Sequence, residues 1–534
     1  MRTVLFGLDG ATYTVLDSLM KQGVMPNLSA FCQRGARANL TSTPLPITPQ
    51  AWTSLATGRS MGHHGIHDFV RMEQTDQGVF LRFNNARDNH CPTIFKRLSD
   101  QGKRVTALNY YGMAPAEPVN GHIMPGFVPG RYLKRSSYPA DLFNRLQKVP
   151  HFDVSILGLD LDVEKEGLAE MPAERWAEWI HHHIERERAW FSTLEYLMEH
   201  EPSDLTAIVF DGVDKIQHLA YRFLDPAHAP KNPTSWEAEV TQLCHDYFRQ
   251  ADDFLGRTCE IVGETGRVFI ASDHGFTATT EVVYINKFLN DMGYMHWKGQ
   301  SAEDQKESIV VERLTQFVGT YDWERTQAVA LTASCNGIYI VNVPAQQYEQ
   351  FRERLINQLH ALRGPDGGKV ITEIKKREEW FAGPFMHRAP DLTLTLRDFG
   401  FISSLNAAQQ VVTRKLPAGT HHPVGVLLGA GPGIKSGCDV GTFNILDVAP
   451  LLMHSVGAGI PSEFEGVFPD AFYEPAALAQ DPVRVCSQEG DTAPGSFAES
   501  DTVISPQKTS ADPGMDAEEE MMLTNRLRSL GYID

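Results

Sequence analysis

The stretch Arg267-Val268-Phe269-Ile270-Ala271-Ser272-Asp273-His274-Gly275 decides the fold. A run rich in β-branched and aromatic residues ends on an adjacent carboxylate and imidazole, and a glycine follows. Such a pair at the end of a buried strand is costly unless it is paired or metal-bound. The same grammar recurs far away in the chain: Thr3–Leu8 runs into Asp9-Gly10, and Leu205–Phe210 runs into Asp211-Gly212. Further short runs at Val105–Asn109, Gly337–Val341, Asp391–Leu396 and Val424–Leu428 are separated by stretches of helical spacing. This alternation predicts an α/β fold with a mostly parallel central sheet flanked by helices. In open sheets of that class ligands bind beyond the carboxyl ends of the strands, so three distant segments point at one place.

Helix punctuation fills the intervals. Met25-Pro26-Asn27 opens a periodic stretch through Cys32 that stops at Gly35, and Asn444–Ser455 reads as a helix before Gly457. Residues 168–200 read as one long amphipathic helix and Gln346–Leu362 as another. The segments at about 112–200 and 285–400 carry none of the chemistry-bearing motifs and are expected to form cap insertions in a catalytic domain spanning 1–475. Ser, Pro, Asp, Glu and Thr dominate 476–515, which reads as a flexible linker; 516–534 regains helical spacing through Met521, Met522, Leu527 and Leu530.

At 534 residues the chain exceeds the roughly 250–300 at which single cores stop growing. A formal charge of -19 opposes a nucleic-acid duplex or an anionic membrane as the main partner. The seven cysteines show no CxxC pair and read as reduced, structural thiols. No apolar run approaches the ~20 residues that span a bilayer, and the start, MRTVLFGLDG, has no secretory h-region, so the expected location is cytoplasmic.

Four more segments carry chemistry. Asp9 before Gly10 suits a cation, although a turn or cap explains an aspartate there equally well. In Pro46-Ile47-Thr48-Pro49-Gln50-Ala51-Trp52, Pro49 fits the first position of a helix and Thr48 its N-cap, which sets a hydroxyl at the positive end of the helix dipole. That hydroxyl is a poor nucleophile until a metal lowers its pKa. Asp214 and His218 stand one turn apart on one helix face and can share an ion, with Asp211 and Gln217 as supporting groups. Gly419-Thr420-His421-His422-Pro423 offers one more imidazole without distinguishing His421 from His422.

In this order the segments resemble the type I phosphodiesterase/nucleotide pyrophosphatase family of the alkaline phosphatase superfamily. The resemblance implies that Thr48 is the nucleophile and that two divalent metal ions, zinc or alternatively manganese, are bound. One ion takes Asp9, Thr48, Asp273 and His274; the other takes Asp214, His218 and His421. It implies hydrolysis of small phosphate esters, diesters or nucleotide pyrophosphates, through a phospho-threonine intermediate. The closing Leu530-Gly531-Tyr532 is similar to the ending of several bacterial members of the superfamily. One departure concerns specificity: the nucleotide pyrophosphatases place an asparagine after their H-G-I segment, whereas His67-Asp68-Phe69 follows here.

Competing readings fare worse. A sulfatase needs a Cys or Ser in a C/S-x-P-x-R setting, a cofactor-independent phosphoglycerate mutase uses a serine, and a non-catalytic scaffold has no need of an intact ligand set. A phosphomonoesterase of the same superfamily stays in play. Substrate-binding residues and oligomeric state are not assigned. His181-His182-His183 read as a solvated helix face, and Gly429–Ser436 as a turn rather than a P-loop. His63, His64 and His67 lie near the Thr48 segment and are candidates for a supporting role.

Overall fold

The computed structural model describes residues 2–75, 78–158, 171–298, 319–332 and 334–486. Its centre is an eight-stranded sheet. From one edge to the other the strands run Cys438–Asn444, Ala36–Thr41, Val424–Ala430, Arg267–Ala271, Thr3–Leu8, Leu205–Phe210, Val105–Leu108 and Gly121–Met124. All pairings are parallel except the two made by Val424–Ala430, which runs against both neighbours.

Alternation along Thr3–Leu8 divides the core. Val4, Phe6 and Leu8 pack under helices Tyr13–Lys21, Pro26–Arg34, Trp176–His200, Gly212–Leu224 and Ser235–Val262. Leu5 faces the opposite layer, built by helices Thr48–Thr57, Ile94–Asp100 and Val448–Ser455. Both faces are therefore covered, as a mostly parallel sheet requires.

A third core belongs to the cap. There Ala328-Val329, Gly337–Ile340, Leu392–Leu396 and Ile371–Lys376 form a four-stranded antiparallel sheet backed by helix Ala345–His360. Two of the runs read from sequence thus belong to this cap and not to the central sheet, because a short apolar run does not encode which sheet it joins. A long strand, Gly275–Tyr284, continues from the Asp273-His274 corner and pairs antiparallel with Val411–His422.

Three expectations are corrected. Among the described residues the long helix starts at Trp176, after a short turn of helix at Ala173–Arg175; residues 159–170 lie outside them. His183 is buried between Trp179 and Trp190, four before it and seven after it, on the inward face of a helix that packs against the main core. The predicted linker begins with structure: helix Pro475–Gln480 is followed by Val485-Cys486, which pairs with Ile460-Pro461. The rest of that linker and the helical segment at 516–534 lie outside the described residues. Among the described residues no helix is long and apolar enough to cross a membrane.

Candidate active site

Strand direction assembles the site. Asp9 follows Leu8 directly, Asp211 follows Phe210, and Asp273 follows Ala271 by two residues, all at the carboxyl edge of the sheet. The antiparallel strand Val424–Ala430 enters at that same edge, so His421, three residues before it, arrives there too. Thr48 starts the helix reached from the end of strand Ala36–Thr41, and Asp214 and His218 occupy the first two turns of helix Gly212–Leu224. All seven predicted residues are buried.

Asp9, Asp273 and His274 form one group. His274 Nε2 lies 3.3 Å from Asp273 Oδ2 and 3.6 Å from Asp9 Oδ1. Its Nδ1–H donates to the Gly275 carbonyl at 3.1 Å, which leaves the Nε2 lone pair aimed inward. Asp273 is held by the N–H groups of Gly10 at 3.1 Å and His274 at 3.0 Å, both on Oδ1. Asp9 Oδ1, Asp273 Oδ2 and His274 Nε2 are buried with no hydrogen-bond partner. Burial and the neighbouring carboxylates push Asp9 well above the ordinary range, burial pushes Asp273 up to about 8, and burial keeps His274 neutral. Among the described residues no lysine or arginine is paired with Asp9 or Asp273. Three converging ligand atoms with no lysine or arginine beside them, two of them on carboxyls that give up their protons only with difficulty unless a cation is present, fit a divalent metal ion.

Asp214, His218 and His421 form the neighbouring group. Asp214 Oδ1 is 3.0 Å from His421 Nε2 and 3.5 Å from His218 Nε2, and the two Nε2 atoms are 3.1 Å apart. His421 Nδ1–H donates to the Pro46 carbonyl at 2.7 Å, so its Nε2 also points inward. Burial pushes His218 down to about 4 and His421 to about 3, so both imidazoles are neutral at neutral pH. His274 stacks on His421 with ring centroids 3.5 Å apart. Metal-competent atoms fall into two sets, Asp9/Asp273/His274 and Asp214/His274/His421, each within 4.8 Å. His274 thus reaches both sets, whereas the resemblance assigns it to one ion. His422 points elsewhere: its Nδ1 accepts from the Val424 N–H at 3.1 Å and its ring packs on Phe399.

Thr48 is 2% exposed. It is the first helical residue, with Ile47 in the extended cap conformation and Pro49 one place later than expected. The helix start is fastened on both sides: the Pro46 carbonyl holds His421, and Trp52 Nε1–H, one turn beyond Thr48, donates to Asp9 Oδ2 at 3.3 Å. Trp52 is a positioning residue that sequence reading left without a role; its spacing of four from Thr48 was the available signal. Gly10 has φ +67°, and a Cβ there would lie 2.9 Å from the Phe276 ring and 3.2 Å from Asp214 Oδ1, so only glycine lets this turn carry Asp9. Gln217, a predicted supporting group, donates to the Gly10 carbonyl at 2.8 Å.

Asp211 belongs to a separate network. It pairs with Arg186, lies 3.3 Å from Lys215 Nζ and accepts from Asn109 at 3.0 Å. The Thr48-proximal histidines have structural partners. His64 Nδ1 accepts from Ile66 N–H at 3.1 Å, and its Nε2 bonds Ser54 Oγ at 2.9 Å; His67 Nε2–H donates to the Phe385 carbonyl; His63 sits 3.2 Å from Glu465. Asp68, in the segment where the resemblance leads one to expect asparagine, is buried and accepts from Ser334 Oγ at 2.6 Å and from Thr332, which ties this loop to the cap.

A search of curated proteins returned no significant match. Solved structures share the fold. Phosphonoacetate hydrolase from Sinorhizobium meliloti 1021 in complex with phosphonoformate is 14% identical with a TM-score of 0.51, over 86% of this chain and 95% of that one. Murine ectonucleotide pyrophosphatase/phosphodiesterase 5 is 12% identical with a TM-score of 0.50, over 88% and 98%. The model of the type I phosphodiesterase/nucleotide pyrophosphatase family matches residues 3–423. With that match over most of its length, the chain belongs to the type I phosphodiesterase/nucleotide pyrophosphatase family and is a phosphoric ester hydrolase.

Proposed function

We propose that the protein hydrolyses phosphate esters by way of a phospho-threonine on Thr48, with two divalent metal ions, zinc or alternatively manganese. Asp9, Thr48, Asp273 and His274 hold one ion; Asp214, His218 and His421 hold the other. The observation that carries this reading is the pair of buried, converging ligand groups in which Asp9 Oδ1, Asp273 Oδ2 and His274 Nε2 face one another without a hydrogen-bond donor between them.

When bound, the ions lower the pKa of the nucleophilic hydroxyl and stabilise charge on the attacking and leaving oxygens. The chain's own residues do the rest. Pro46 and Trp52 fix the start of the helix, so Thr48 Oγ faces phosphorus from a set direction. Peptide N–H groups of the first helical turn face the phosphoryl oxygens. Attack by Thr48 Oγ, which gives up its hydroxyl proton to water, forms one P–O bond and breaks the bond to the leaving oxygen, which departs as an alcohol after taking a proton from water. A water molecule then cleaves the Thr48–phosphorus bond and restores the hydroxyl.

Metal analysis alongside turnover of a chromogenic phosphodiester tests the proposal. Chelation is expected to abolish turnover, and zinc or manganese to restore it. Equal rates for the Thr48→Ala variant and the parent, both metal-replete, would refute it.

A further inference from the structure

A cleft of about 420 Å³ opens beside the proposed catalytic centre. Its floor is the 41–47 segment that leads to Thr48, together with His421, and its far wall comes from the cap: Trp380, Thr395, Phe399 and Phe401. Phe401 joins the two parts. Its ring stands edge-on to His421 at 5.1 Å and lies 6.5 Å from His218. Apolar and aromatic groups dominate the lining, hydroxyl and amide groups from Ser334 and Asn336 supply polarity, and Glu373 is its one charged described residue other than histidine. No lysine or arginine lines it among the described residues.

We propose that this cleft binds the leaving group, and that the leaving group is an uncharged alcohol with an aromatic or other apolar face rather than a phosphate-bearing one. The inference rests on the reading of Thr48 as nucleophile. An in-line displacement sends the leaving oxygen to the side of phosphorus opposite Thr48. On the proposed ligand assignment Thr48 shares its ion with Asp9, Asp273 and His274, so the leaving oxygen falls to the ligands of the other ion, Asp214, His218 and His421, and His421 lines the cleft beside Phe401. A nucleoside triphosphate would have to place a leaving pyrophosphate, with its several negative charges, against apolar walls and a carboxylate. An aryl or alkyl alcohol instead buries apolar surface on Trp380, Phe399 and Phe401.

The test compares a nitrophenyl phosphodiester with ATP, using full-length, metal-replete protein. The parent is expected to prefer the aryl ester by ~100-fold in kcat/KM; Trp380→Ala and Phe401→Ala are each expected to raise KM for that ester ~10-fold; and Thr395→Arg is expected to raise kcat/KM for ATP ~10-fold. Preference of the parent for ATP would overturn the subsite and leave the hydrolase reading standing. So would an equal loss on both substrates in both alanine variants with unchanged metal content and melting temperature. Inactivity of the metal-replete parent on every ester would remove the hydrolase reading and the subsite together.

Discussion

Two buried polar clusters stand side by side at one edge of the central sheet, and they solve the same electrostatic problem in opposite ways. Asp211 sits in the first, three residues before Asp214, and is neutralised from within by Arg186 and Lys215, with Asn109 adding a hydrogen bond. Beside it Glu187 accepts the Gly212 N–H at 2.7 Å and is pushed by burial up to about 8. In the second, Asp9 and Asp273 face imidazoles that burial holds neutral, and no lysine or arginine is paired with them among the described residues. The difference separates carboxylates that build the fold from carboxylates that, on the proposed reading, hold an ion.

That contrast breaks most visibly at the proposed nucleophile and metal ligands. Thr48→Ala and Asp273→Ala are each expected to lower kcat/KM by at least ~10³-fold, with Asp273→Ala also losing bound metal while Thr48→Ala keeps most of it. Turnover and elemental analysis on the same samples check this. Arg186→Met should do the reverse. It leaves Asp211 short of one cation and is expected to cost about 3 kcal/mol of stability in denaturant melts, with metal content unchanged; metal loss in that variant would merge the two clusters into one.

Acidity sharpens the contrast further. In the unfolded chain Asp273 ionises near 3.8, whereas in the folded, metal-free protein it keeps its proton to about pH 8. The folded state therefore binds the extra proton, and metal-free protein loses stability as pH rises through that window. Cation binding displaces the proton, so metal affinity is expected to rise up to ~10-fold per pH unit below about 8 and then to level off, as competition titrations against a chelator would show. The smallest effect belongs to Trp52→Phe, which removes the hydrogen bond to Asp9 Oδ2 but keeps most of the packing. A loss of ~10-fold in kcat with metal retained is expected from steady-state kinetics.

Much of this was legible in the chain because strand termini announce themselves. Thr3–Leu8, Leu205–Phe210 and Arg267–Ala271 are the strands that the sequence predicts, residue for residue, and each is followed within two residues by an aspartate at the edge that matters. Ala36–Thr41, Gly121–Met124 and Cys438–Asn444 were missed: the last two are short, glycine-bearing strands without a clear period-two signal, whereas Ala-Arg-Ala-Asn-Leu-Thr at 36–41 alternates apolar and polar residues but carries no β-branched or aromatic run. The membership of Gly337–Ile340 in the cap sheet, the burial of His183 and the shared position of His274 all depend on tertiary partners. Local spacing does not contain them. Nor could it choose between His421 and His422, which are chemically identical neighbours.

Pairing makes that choice. His421 stands opposite Phe276 and His422 opposite Gly275, at the end of a ladder whose register already shifts between Thr413 and Ala418. Adjacent residues of a strand face opposite sides, so gain or loss of one residue in that irregular stretch would rotate the doublet and present the other imidazole. Which imidazole of the doublet meets Asp214 is thus set by the face of the strand rather than by the identity of the residue.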